Sequence, residues 1–150
     1  MTGADMASAQ ELIASLDLKP HPEGGFYRET WRAEATPSGR SASTAILFLL
    51  PVGARSHWHK IDADELWFWQ GGNPLTLQIA EADNAAPRTI LLGPATAPRH
   101  NLQGIVPRDQ WQSAEPSAGP CGYSLVSCVV APGFSFDGFI LADPGWSPGA

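Results

Sequence analysis

A chain of 150 residues is long enough to bury one continuous core and short for two, so a single domain over residues 1–150 is expected. Hydrophobic residues make up 43% and charged residues 16%, a globular balance that excludes a disordered body. Fifteen acids against nine Lys and Arg leave a net charge of -6 with no basic run, which argues against nucleic acid as a partner. No stretch approaches the ~20 apolar residues that span a bilayer. The start, Met1-Thr2-Gly3-Ala4-Asp5, has neither the basic nor the apolar region of an export signal. The expectation is a cytoplasmic protein with no membrane partner.

Ser8-Ala9-Gln10-Glu11 has the S-x-x-E form of a capping box, followed by Leu12, Ile13 and Leu16 on one face, and predicts a short N-terminal helix stopped by Pro20 and Pro22. From Phe26 onward the pattern changes to short β-type runs at 26–31, 43–50, 56–59, 65–70, 75–80 and 89–92. Three more, at 104–106, 111–113 and 123–130, complete the set. Fifteen glycines and fourteen prolines supply turn clusters between them, such as Gly71-Gly72-Asn73-Pro74. No helical crossovers separate the runs, so a parallel α/β sheet is disfavoured and an all-β sandwich or barrel is expected.

Two runs, 45–50 and 125–131, are apolar on both faces, so each should be covered on both sides, by a second copy in a homodimer or by the N-terminal helix or C-terminal tail. The tail over 142–150 is turn-rich and expected to fray. Cys121 and Cys128 lie seven residues apart in one extended run, at ~3.3 Å per residue, beyond disulfide reach. Both should be free thiols, as in a reducing compartment. Cys128, inside an apolar run, reads as inert packing. Gly24-Gly25 reads as a turn before a strand, because no phosphate-loop pattern follows it. His21 and His100, isolated in Pro-containing loops, are assigned no role.

The segment richest in chemistry is Gly53-x3-His57-x-His59-x5-Glu65-x5-Gly71. Residues two apart on a strand share a face, so His57 and His59 should point together, and Glu65 on the next antiparallel strand could meet them. Two imidazoles and a carboxylate would suit one divalent ion of iron, manganese, nickel or zinc. Glu65, Trp67 and Trp69 would share that face and add an aromatic wall suited to a planar or sugar-like ligand. The alternative is a pair of histidines hydrogen-bonded to carboxylates with no metal.

That segment resembles the first motif of the cupin superfamily, although members more often carry three or four residues between the second His and the Glu. The second cupin motif aligns with Pro107-Arg108-Asp109-Gln110-Trp111-Gln112, where Asp109 replaces a glycine and Gln112 the last histidine ligand. Together with His21-Pro22-Glu23-Gly24-Gly25-Phe26-Tyr27-Arg28-Glu29-Thr30 and Ala131-Pro132-Gly133-Phe134, the four stretches resemble the signatures of the small single-domain "cupin type 5" subfamily, over roughly residues 10–141. Phe68, Ser135 and Ile140 depart from residues common there.

The resemblance implies a jelly-roll β-barrel closed at one end, a homodimer, and a small-molecule ligand in the barrel mouth. It makes His57, His59, Glu65 and Gln112 the candidate metal set and His57, Glu65 and Arg28 the candidate catalytic groups. Phe26, Arg28, Trp67, Trp69, Trp111 and Gln112 become the candidate ligand contacts, with Arg28 able to grip a carboxylate or phosphate. Three activities are open: an isomerase or epimerase of a carbohydrate or sugar nucleotide, a metal-dependent dioxygenase, and a binding module without turnover. Without metal, His57 would be the base of the isomerase; with metal, the base is not identified by the sequence.

Overall fold

A computed structural model describes residues 8–149. Helix α1 (Ala9–Ser15) begins where the capping box predicts, with the Ser8 hydroxyl accepting a hydrogen bond from the Glu11 amide at 3.1 Å. Seven residues are too few to hold a helix alone. The guanidinium of Arg28 ties α1 to the body by donating from Nε to the Leu16 carbonyl at 2.7 Å.

Eleven strands follow: β1 (Lys19–Pro20), β2 (Phe26–Arg32), β3 (Thr44–Pro51), β4 (Ser56–Ile61), β5 (Asp64–Gly72) and β6 (Leu75–Ala80), then β7 (Arg88–Leu92), β8 (Gln103–Val106), β9 (Trp111–Pro116), β10 (Tyr123–Ala131) and β11 (Phe139–Leu141). All nine predicted strands are present, within a few residues at their ends. β1 and β11 were not predicted, being two and three residues long and without a period of their own. The strands form two antiparallel sheets, a large one in the order β1-β2-β3-β10-β5-β8 and a small one in the order β11-β4-β9-β6-β7. The jelly roll is therefore a pair of facing sheets.

The main core lies between the sheets. Phe48, Leu50, Trp67, Val126 and Val106 of the large sheet meet Leu75, Leu77, Ile79, Leu92 and Ala114 of the small one. These residues fill one end. Along β5, β10 and β3 the inward positions become polar or smaller toward the other end, from Trp67 to Glu65, from Val126 to Cys128 and from Phe48 to Ile46 and Thr44. That change of composition leaves one end packed and the other hollow.

The outer face of the large sheet is apolar, as the two doubly hydrophobic runs predict. α1 contacts β3 there, where Leu49 is fully buried, while Leu47, Leu125 and Val129 are half-buried and Ile105 is 56% exposed. The C-terminal segment crosses the outer face of the small sheet. Its Ala142 amide donates to the Trp58 carbonyl at 2.9 Å, Trp146 packs on Trp111, and the Gly149 amide donates to the Asp83 carbonyl at 2.8 Å. Among the described residues no helix is long and apolar enough to cross a membrane.

The loop into β2 carries the tightest backbone approach near the hollow end. Gly24 has φ +111°, and a Cβ built there would lie 2.0 Å from the Arg55 carbonyl oxygen. Gly24→Ala combines left-handed strain with a backbone clash. It should cost at least about 2 kcal/mol in urea unfolding, since strain at one such residue alone is worth about 1–2 kcal/mol. An unchanged midpoint would show that the loop does not need this approach.

Candidate functional site

The hollow end is a cavity of about 640 Å³, within the ~300–1,000 Å³ usual for small-molecule sites. Glu23, 8% exposed, is one of its buried polar groups. One carboxylate oxygen lies 2.8 Å from Nδ1 of His59 and also accepts the Ser56 hydroxyl, and the other lies 3.2 Å from Nδ1 of His21. The turn at Gly24-Gly25 brings Glu23 to this position, and the Glu23 carbonyl accepts the His57 amide at 2.8 Å.

That bond accompanies a departure from the expected strand pattern. β4 pairs with β9 at Ser56↔Ala114 and His59↔Gln112, so three steps on β4 match two on β9. This β-bulge breaks the alternation that would put His57 and His59 on one face. Ser56 and His59 face Glu23, whereas the His57 ring bonds the Asp143 carbonyl at 2.9 Å on the outer side. A second irregularity on β2 pairs Glu29 with Ile46 and Trp31 with Ala45. It turns Tyr27, Glu29 and Arg32 into the cavity and leaves Trp31 59% exposed.

Glu65 faces the cavity from β5, as expected. Its Oε1 accepts the Gln112 amide at 2.8 Å, while the Gln112 carbonyl accepts Trp67 Nε1–H at 2.9 Å, so both ends of Gln112 are used inside the protein. The Cys128 thiol lines the same cavity, and burial beside Glu65 and Glu23 pushes it well up, so it stays protonated. Cys128 therefore touches the site.

The other candidates lie elsewhere. Arg28 points to the outer face and holds α1; Phe26, opposite Leu49, shares that face. Trp67 is buried in the packed end, and Trp69 leans on it with Nε1–H donated to the Asn73 carbonyl at 3.0 Å. Trp111 joins Trp58 on the outside of the small sheet, its Nε1–H donated to Asp83 at 2.7 Å. The aromatic lining of the cavity comes instead from Tyr27, Phe134, Phe136 and Phe139. Asp109, at the glycine position of the second motif, takes φ +63°, the left-handed conformation a glycine would adopt.

The expected metal set is thus not brought together, because His57 is turned out and Gln112 is spent on Glu65 and Trp67. Among the described residues no three His, Cys, Asp or Glu side chains are placed to hold an ion. His59 Nδ1 is engaged by Glu23 and by the His57 carbonyl, both at 2.8 Å, as a donor nitrogen rather than a ligand lone pair. These side chains do not fit the metal site that the resemblance implies.

The electrostatics follow from burial against pairing. Burial opposes the charge on His59, but Glu23 and then Glu65 outweigh it and push the imidazole up to about 9, so it is an imidazolium at neutral pH. Burial likewise opposes the charge on Glu23, yet His59, His21 and Ser56 hold it below the usual carboxyl range. Burial, reinforced by the Glu23 charge and only partly offset by His59, pushes Glu65 up to about 7. Burial, only partly offset by Glu23, keeps His21 below its usual value.

Two antiparallel sheets, packed at one end and enclosing a cavity at the other, define a cupin-type fold. Residues 10–142 match the family described as Cupin superfamily (DUF985), and the chain belongs to it. A hypothetical protein from Leishmania major is similar at 34% identity, with 91% of this chain and 88% of that one covered at a TM-score of 0.82. A protein from Shewanella oneidensis shares 37% identity, with 92% and 86% covered at 0.82. An oxalate decarboxylase from Bacillus subtilis shares the fold at a TM-score of 0.62 and 15% identity, covering 85% of this chain and 31% of that one. No curated protein matches the chain.

The buried pair has a signed pH signature. His59 is raised from 6.5 to about 9, so its pairing contributes fully below pH 6.5 and is withdrawn as pH climbs through about 9. Glu65, raised from 4.5 to about 7, adds a loss of the same sign between those values. Glu23, lowered, acts oppositely and contributes until acid protonates it. Stability in urea should therefore fall between pH 7 and pH 10, and Glu23→Gln should shrink that fall. A flat profile in the wild type would contradict the pairing.

Proposed function

We propose that this cupin is an acid–base isomerase or epimerase that moves a proton at a carbon next to a carbonyl, on a small polyhydroxylated molecule, without a metal. The observation that carries this reading is Glu65, a buried carboxyl raised to about 7, facing the same cavity as the His59 imidazolium. A base is most effective with a pKa near the working pH. Glu65 would take the proton from carbon and return it, on the same face, to the neighbouring carbon. The enolate oxygen needs a donor already in place. Among the described residues His59 Nε2 has no hydrogen-bond partner and no buried side-chain nitrogen or oxygen lacks one, so Nε2 opens onto the cavity. Its N–H would meet the oxyanion while Glu23 holds the ring. His57, turned outward, is not the base in this reading.

A dioxygenase would need a third convergent donor, which the geometry does not supply. A binding module would use the same cavity without exchange. Proton exchange in D2O, followed by NMR over a panel of aldoses, ketoses and sugar nucleotides, separates these. Glu65→Gln should slow exchange at least 100-fold, in the range of a lost general base, while ligand binding survives. Equal exchange in the variant would remove Glu65 from the mechanism.

We also propose that the outer face of the large sheet pairs two chains. Leu47, Leu66, Phe68, Leu125 and Val129 form a half-buried apolar surface beside exposed Ile105. Light scattering at micromolar concentration should give twice the 16.0 kDa chain mass, and Val129→Asp should return it to one. A wild-type monomer would refute the pairing.

A further inference from the structure

The charges lining the cavity bear on which molecules it can hold. Two arginines reach the mouth, and each of the three nitrogens of both guanidinium groups already donates to a protein oxygen. Arg32 grips Glu29 through Nε and Nη2, both at 2.8 Å, and its two Nη atoms lie 3.3 Å from the Phe134 carbonyl. Arg40 grips Asp62 at 3.0 and 2.7 Å and donates Nε to the Gly133 carbonyl at 2.8 Å. The remaining cation, the His59 imidazolium, is paired with Glu23. Each positive group of the lining is therefore matched by its own carboxylate, and Glu65 and Asp137 are carboxyl groups beyond that balance.

A phosphate or carboxylate entering the cavity would find no uncommitted cation. The two arginine pairs are at the surface and individually weak. Breaking one to free its arginine, however, strands Glu29 or Asp62 beside the incoming anion, and like charges so placed repel. What the lining offers freely is hydrogen-bond acceptors in Glu65 and Asp137, the hydroxyl of Tyr27, and the aromatic faces of Phe134 and Phe139. Hydroxyl groups suit the first two and the apolar C–H face of a sugar ring suits the third.

We infer that the ligand of this cavity is an uncharged sugar, a free aldose or ketose, and that phosphorylated sugars and sugar nucleotides are excluded by the self-paired arginines. This deepens the proton-transfer reading above and rests on it for the carbonyl.

The test compares D-glucose, D-mannose and D-fructose with their 6-phosphates at low ionic strength, by saturation-transfer NMR and calorimetry on the wild type and on Glu29→Gln. The free sugars should bind, and the phosphates should bind at least ten-fold more weakly or not at all. Glu29→Gln, which releases Arg32 and removes a negative charge, should narrow that gap at least three-fold. Phosphates that bind as well as the free sugars, failure of every free sugar to bind, or a gap unmoved by Glu29→Gln would each overturn the inference. Hydrogen exchange in D2O on the same samples keeps the two ideas apart. Phosphates that bind and exchange would sink the charge selectivity and leave proton transfer standing. Free sugars that bind without exchange would uphold the selectivity and sink proton transfer.

Discussion

A carboxylate buried as deeply as Glu23 loses most of its hydration, and an unpaired charge in that position would cost several kcal/mol. Its three partners come from two places in the chain. His21 lies two residues before it, while Ser56 and His59 stand on β4. Removing one would leave the others facing an uncompensated charge, so the approach of the 21–25 loop to β4 and the charge state of the cavity floor are a single constraint. His59 stays protonated because Glu23 is there. Glu65 is pushed up in part because the Glu23 charge is already spent nearby.

Two local irregularities turn that constraint into a cavity. The bulge on β4 selects His59 over His57, and the one on β2 selects Arg32 over Trp31. The Gly24 approach to Arg55 allows the loop to close on β4. Around these fixed points the graded composition of β3, β5 and β10 does the rest, since the large apolar side chains of the packed end leave no room there and the smaller, polar ones of the other end leave the hollow.

The superfamily fold alone does not choose a chemistry, because one scaffold supports many. In this chain the chemistry rests on how the polar groups are spent. Gln112, aligned with a ligand position, is a clamp between Glu65 and Trp67. Glu65 is thereby held by a neutral donor, which orients it without itself cancelling its charge.

The all-β architecture, the helix start at Ser8, nine of the strands and the apolar outer face were legible in the sequence, because capping, period-2 alternation and glycine–proline turns act over a few neighbouring residues. Glu65 was singled out from its spacing to the histidines, on a ladder between β4 and β5 that does not form, because the two strands lie in different sheets and face each other across the cavity. The cavity's other members were not. Placing His57 with His59 assumed unbroken alternation, and a bulge depends on what the partner strand and the 21–25 loop do, not on the strand's own residues. Arg28, Trp69 and Trp111 look equally suited to a ligand in the sequence, and only the sheet they face and the partners they meet assign them to α1, the packed end and the C-terminal segment. His21 and Glu23 sat in a quoted motif without a role, since the reason for them is a residue 36 positions on, His59, reached through space. The sequence by itself determined the elements and the polarity of their faces. Which buried charges share a cavity was decided by tertiary structure alone, because a desolvated charge answers to whatever lies within a few ångströms of it, wherever that lies along the chain.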